Sequence, residues 1–390
     1  MRFSQTKKGL LAAVVLLTFP ALAQAEDVQS LYRGGQYEQV VATLAGKETW
    51  GGQEALYIGL SYLRMGKMNE AIRAWQGYSQ THKGSEVRRQ IAGYLTLLRQ
   101  EAARQAAREA LRREQELTVA GLEAVAVMPF LNYGNPLHDA LSKGLSHLVA
   151  VDLARVQSLT VVERFNLQAV TAELSLSATG LVDPSSVARS GKLLGAGRMV
   201  MASFSDGEEG GFRVDASLVR TETGETLALP EAIGALATFY DLEKDLVRSI
   251  LCALLMCLET LDVQTREKVE RLHTKNLNAL LLYSQGLDAL DAREYRRARS
   301  LFFMAAEADP EFELARDALI DAPLFPLDLQ DRAAESGLFP ILFLFGDPTG
   351  VLGLAEGGET SVIGPPEPPF PPPPPPPPAT RVRVIVPVPK

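Results

Sequence analysis

Two cysteines, four histidines and one glycine cluster are the residues of this sequence whose chemistry would stand out. Cys252 and Cys257 lie five apart in Leu246–Leu261, a stretch that reads as helix. Five residues turn an α-helix by about 500°, which leaves the thiols roughly 140° apart around the axis and off any common face. A bridge inside one helix would also need an awkward Cα separation. The pair is therefore expected to be two buried thiols packing as small apolar residues. So few cysteines and histidines argue against a disulfide scaffold, a zinc ribbon or a multi-histidine metal centre.

His138 and His147, nine apart on a helix expected over 137–155, sit two and a half turns apart and point away from each other. Gly191-x-x-x-Gly195-x-Gly197 has the wrong order for a G-x-G-x-x-G phosphate loop and precedes a strand, whereas a dinucleotide loop follows one. It reads as a helix C-cap and turn. Glu163-Arg164 reads as an ion pair at a strand end. No H-E-x-x-H, nucleophile elbow or Walker motif occurs. No catalytic, cofactor-binding or metal-ligating residue is assigned, and the expectation is a protein that is not an enzyme and needs no cofactor.

The elements that would position any site fall into blocks. Residues 1–25 read as a cleaved secretory signal: Arg2, Lys7 and Lys8 form the positive end, Gly9–Phe19 the apolar stretch, and Ala23-Gln24-Ala25 the cleavage site. The apolar run is shorter than the ~20 residues that span a bilayer. It is not followed by a cysteine, so a lipid anchor at a mature N-terminal Cys is not expected. The formal net charge is −8 and the pI about 5.3, and removing the signal makes the chain more acidic still. That balance argues against nucleic acid or anionic lipid as a partner. At 46% hydrophobic residues, the chain can bury a substantial core.

Residues 26–85 read as helical repeats. Gly59, Tyr62, Ala71, Trp75 and Tyr78 fall at the spacing of a tetratricopeptide unit, with Gly66 near the turn. In residues 263–320, Gly286, Ala298, Phe302, Ala305 and Pro310 keep the same offsets: glycine to alanine is twelve in both copies, and alanine to aromatic is four. Small residues let paired helices approach, and the aromatic fills the gap. Tyr62, Trp75 and Tyr78 are the candidate partner-binding residues. Between the repeats, residues 86–117 form a long polar-faced helical linker. Residues 118–262 form a compact α/β unit with the order β-α-β-α-α-β-β-β-α, closed by a helix over Tyr240–Leu261. Phe212, Val214, Ala216 and Leu218 alternate with Arg213, Asp215 and Ser217 there, marking a strand with one buried face. Residues 321–390 are a low-complexity tail expected to be disordered. Pro371–Pro378 reads as polyproline II, Leu338–Phe345 as an apolar cluster that packs on the body, and Arg381–Val386 as an alternating segment able to extend a sheet edge.

Five segments of the middle unit, in order, resemble CsgG-type (curli production assembly/transport) domains. Val125-Ala126-Val127-Met128-Pro129-Phe130-Leu131-Asn132 is similar to the family's opening strand and its Pro-Phe-x-Asn exit. Leu159–Arg164 resembles its "VVER" strand, Leu176–Pro184 its linker, Gly191–Ala196 its "GKLLGA" helix end, and Leu218–Glu225 its closing "TGE" hairpin. The resemblance covers about Leu122–Leu229. It implies an exported, non-catalytic envelope protein of the periplasm, often lodged at the outer membrane. The family includes the curli secretion channel, and the LpoB-type activator of penicillin-binding proteins has a related fold. Leu131–Pro136 and Ser205–Gly211 are too short for the long hairpins of a barrel wall, and Gly197 stands where the family is commonly acidic, so a pore is not expected.

The expected fold class is thus α/β (α+β): a CsgG-like domain with a mixed sheet, flanked by α-helical repeats of tetratricopeptide type and a proline-rich tail. The expected role is a periplasmic scaffold or adaptor binding envelope or outer-membrane proteins, with homo-oligomerisation open and neither nucleic acid nor a small-molecule substrate as partner. An oligomeric secretion component is the alternative, followed by a cell-wall enzyme or its activator.

Overall fold

The structure, a computed structural model, describes residues 28–82, 86–174, 184–206 and 211–323. The signal read over 1–25, residues 176–183 of the family-like linker, and the tail from 324 onward lie outside the described residues.

The N-terminal part is helical. After a helical turn over residues 28–33 come α1 (Tyr37–Ala45), α2 (Gly52–Arg64) and α3 (Met68–Thr81), then the long α4 (Glu86–Arg112). The Glu54 carboxylate accepts from Gly51 N–H at 2.9 Å and opens α2. α2 and α3 meet closely because Gly59 has no side chain: a Cβ there would lie 2.1 Å from the Trp75 ring. The C-terminal helices α10 (Leu277–Asp291) and α11 (Tyr295–Ala308) repeat the device, with a Cβ at Gly286 falling 2.4 Å from Phe302. Trp75 and Phe302 are both fully buried. Two helical hairpins therefore pack a small residue against an aromatic at equal sequence spacing.

Between them lies a seven-stranded sheet: β1 (Ala124–Val127), β2 (Leu131–Asn132), β3 (Thr160–Val161), β4 (Arg198–Asp206), β5 (Gly211–Arg220), β6 (Thr226–Ala228) and β7 (Glu231–Ala235). The order is β3-β1-β4-β5-β6, with β2 on β4 and β7 on β5. β1 pairs in parallel with β3 and β4, whereas β4 and β5 form a long antiparallel ladder from Arg198↔Arg220 to Asp206↔Phe212. β1 is buried on both faces, as its continuous apolar run requires. Val125 and Val127 point to one core, which contains α5 (Leu141–Leu153) and α8 (Phe239–Ala253); Ala126 and Met128 point to the other, under α6 (Arg164–Glu173) and α7 (Pro184–Leu194). The α9 (Val263–Glu270) and α12 (Glu313–Asp321) helices complete the C-terminal part.

α4 does more than link. Ile91, Leu95 and Leu98 pack into the N-terminal helical core, while Ala103 and Ala107 pack against Ala169 and Val170 of α6 and Leu193 of α7. Further bonds tie it to the C-terminal helices. Thr96 Oγ1 donates to the Asp321 carbonyl at 2.7 Å, Gln100 Nε2 to the Leu290 carbonyl at 3.1 Å, and the Tyr295 hydroxyl to Gln100 Oε1 at 2.9 Å. Both helical hairpins thus share one helix.

Three expectations are corrected. The helix read over Tyr240–Leu261 ends at Ala253, where Leu255 adopts a positive φ of 63° and reverses the chain. That reversal brings Cys252 and Cys257 together as a disulfide with Cα atoms 4.1 Å apart, so they are neither buried free thiols nor parts of one helix. The closing hairpin also has a further strand, β7, after Pro230.

Candidate functional site

A cavity of about 670 Å³ opens beyond the β3 edge of the sheet, where α4, α5, α6, α10 and α12 converge. Its walls are largely apolar, including Ala150, Val161, Leu167, Leu287, Leu290 and Leu314. At its side Asp291, the last residue of α10, joins three elements. Lys143 of α5 contacts its carboxylate at 2.9 Å, Arg164 at the start of α6 pairs with the same carboxylate, and Gln168 Nε2 donates to its backbone carbonyl at 2.7 Å. The Lys143 ammonium also reaches Asp288 at 2.8 Å. Burial would lower the Lys143 pKa, but Asp291 and Asp288 outweigh it and hold the ammonium charged. Arg164 stacks over the Phe165 ring at 4.6 Å. Its carboxylate partner is therefore Asp291 and not the adjacent Glu163, which caps α6 through its backbone. A strand-end pair of neighbours does not form.

His147 lies deep in the molecule yet keeps part of its surface on the cavity wall. Burial pushes its pKa down to about 3, with Arg164 and His273 adding to the effect and Asp291 opposing it. The imidazole is neutral across the physiological range. His138 is not on the same helix: it sits in a 3-10 turn, Pro136–His138, with Nδ1 3.0 Å from Asp206 Oδ1 at the end of β4. The two histidines share no site.

Behind the cavity a second cluster is buried between α5, α8 and the α9–α10 connection. Asp152 is fully buried and contacts Lys244, Arg155 at 2.8 Å and His273 Nε2 at 2.9 Å. Lys244 also approaches Glu243 at 3.3 Å. Burial raises the Asp152 pKa, but bonds from His273 and Lys244 bring it below the ordinary carboxylate value. Glu243 goes the other way: burial, then the charge of Asp152, raises its pKa well above normal and favours its protonated form. Burial lowers the pKa of His273 against the pull of Asp152. Asp152, Glu243 and His273 converge closely enough to ligate a metal ion. However, the Lys244 ammonium already sits against Asp152 and Glu243, so the chain supplies its own cation. Cys252, Cys257 and Glu259 also converge, but there the sulfurs bind each other.

The candidate partner-binding aromatics lie elsewhere. Trp75 is fully buried and donates Nε1 to the Ala55 carbonyl at 2.8 Å; Tyr78 is buried and stacks on His82; Tyr62 is half-buried against the same core. Gly195 has a φ of +63° and closes α7, with Ala196 N–H bonded to the Gly191 carbonyl at 2.8 Å. That segment is a helix end and does not follow a strand as a phosphate loop would.

Residues 100–213 match the family described as "Curli production assembly/transport component CsgG". The match spans well under half of the 390 residues, from the second half of α4 to the start of β5. Its start inside α4 agrees with that helix packing as part of the α/β unit. Among solved structures, the chain is similar to the LpoB C-terminal domain from Salmonella enterica, at 18% identity and a TM-score of 0.24, over 34% of this chain and 95% of that one. No curated protein matches the sequence. No described helix is long and apolar enough to cross a membrane.

Proposed function

We propose that the protein is a non-catalytic scaffold of the bacterial envelope, acting in the periplasm, with a CsgG-like α/β domain held between two helical hairpins of tetratricopeptide type. The observation that carries this reading is how the charged groups at the cavity are used. Lys143, Arg164 and Asp291 bind one another and join α5, α6 and α10, so they serve to fix the hairpin onto the α/β domain. The family match over residues 100–213 supports an envelope setting. The disulfide Cys252–Cys257 is in keeping with an oxidising compartment such as the periplasm. Gly59–Ala71–Trp75 and Gly286–Ala298–Phe302 support the repeat assignment, since both sets pack in the same way.

The partner is a protein of the envelope or outer membrane. In vivo crosslinking followed by purification of the mature chain tests this: the reading requires a reproducible envelope protein among the products, and recovery of none under conditions that recover a known complex would reject it. An oligomeric secretion component is the second reading, favoured by the description of the matched family. A detergent-resistant homo-oligomer in envelope extracts would support it.

A further inference from the structure

The last described residues, Ala322 and Pro323, are buried at the end of α12, and α12 itself supplies Leu314, Asp317, Ala318 and Asp321 to the cavity wall. The chain therefore leaves the described structure beside the cavity, with 67 residues still to come. Within them Leu338-Phe339-Pro340-Ile341-Leu342-Phe343-Leu344-Phe345 is eight residues long and carries no charge. Exposing such a run to water is unfavourable by about 25 cal/mol per Å² of apolar surface. Fourteen residues separate it from Pro323, enough to reach roughly 50 Å if extended. A cavity of about 670 Å³ falls in the range that accepts a short cluster of side chains but not a domain.

A polar group on the wall points the same way. Arg99 of α4 lines the cavity, and its buried Nε has no hydrogen-bond partner among the described residues. Buried donors of this kind are normally satisfied, and a backbone carbonyl of an entering peptide would do so.

We propose that Leu338–Phe345 docks into this cavity within the same molecule, its Leu and Phe side chains on the apolar walls and a main-chain carbonyl on Arg99. The proposal goes beyond the scaffold reading and does not depend on it. It gives the tail an anchor on the folded body.

The test places a photo-reactive benzoylphenylalanine at position 343 of the full mature chain, where the substitution leaves the body untouched. Irradiation of the dilute purified protein is expected to give intramolecular cross-links to Ala150–Ala154, Leu167–Ala172 or Leu314–Ala318, identified by mass spectrometry. Filling the cavity with Ala150→Trp should remove most of that product; circular dichroism checks that this variant folds. Cross-links to other surfaces, only to a second copy, or only to a co-purified protein would each overturn the proposal, as would products unaffected by Ala150→Trp in a folded chain.

Discussion

The hydroxyl of Tyr295 donates to Oε1 of Gln100 across 195 positions of sequence, and both side chains are buried. One hydrogen bond thereby joins the helix that leaves the N-terminal hairpin to the second helix of the C-terminal one. Gln100 uses its Nε2 on the Leu290 carbonyl at the same time, so the amide is oriented from both ends. Burial pushes the Tyr295 pKa up to about 12, which keeps the phenol a donor at any physiological pH. Tyr295→Phe should cost about 1–3 kcal/mol, because it leaves a buried acceptor unsatisfied. Urea unfolding of both proteins measures it, and Gln100→Leu added to Tyr295→Phe should cost less than the two single changes summed.

The Asp152 cluster sets opposite expectations for its two carboxylates. Asp152→Asn strips the counter-charge from buried Lys244 and from Arg155, and should destabilise by about 3–5 kcal/mol. Glu243 has a raised pKa, so the stability it contributes is complete below the ordinary value of 4.5 and is lost as pH rises through the folded value. Glu243→Gln keeps the shape and removes that loss. The melting temperature of this variant should gain on the parent as pH is raised above 4.5.

His147 acts on the acid side. Its pKa falls from 6.5 to about 3 on folding, so below pH 6.5 the unfolded chain takes up a proton that the folded one refuses. Stability drops progressively from pH 6.5 toward 3. Asp152 and His273, both with lowered values, add losses of the same sign. His147→Phe should therefore flatten the acid limb of a stability–pH curve without abolishing it.

Close approach at Gly286 is a steric demand. A methyl group there meets the Phe302 ring at 2.4 Å, and Gly286→Ala should destabilise by about 1–3 kcal/mol through overpacking. Phe302→Leu makes room, so the double variant should lose less than the sum of its parts. Chemical denaturation of the four proteins completes the cycle.

The disulfide closes a very short loop after α8. The chain-entropy model assigns such a loop about 2 kcal/mol. Thiol titration of the denatured, unreduced protein should find no free sulfhydryl. Reductant should lower the melting temperature moderately without unfolding the chain.

Much of the α/β unit was legible in the sequence, for definite reasons. The alternation from Phe212 to Leu218 gave β5, since inward residues every second position leave little choice. The glycine-to-aromatic spacing located both close helix pairs. β7 was missed because Glu-Ala-Ile-Gly-Ala has no apolar alternation: its one large apolar side chain, Ile233, faces solvent, while Ala232 is the buried residue. The end of α8 was missed because Leu254-Leu255-Met256 continues the apolar character past Ala253, and nothing local signals the positive φ at Leu255. That single error hid the disulfide. The site was least legible. Arg164 finds its carboxylate 127 residues away and Lys244 finds Asp152 across 92, and charged residues of this kind read locally as solvated faces.

The native mass of the tagged mature protein, purified from gently solubilised envelopes and measured by size exclusion with light scattering, tests the central claim most directly. The scaffold account predicts a single copy, or a single copy bound to a different envelope protein in defined stoichiometry. A ring-sized homo-oligomer in the outer-membrane fraction would contradict it and put a secretion component in its place.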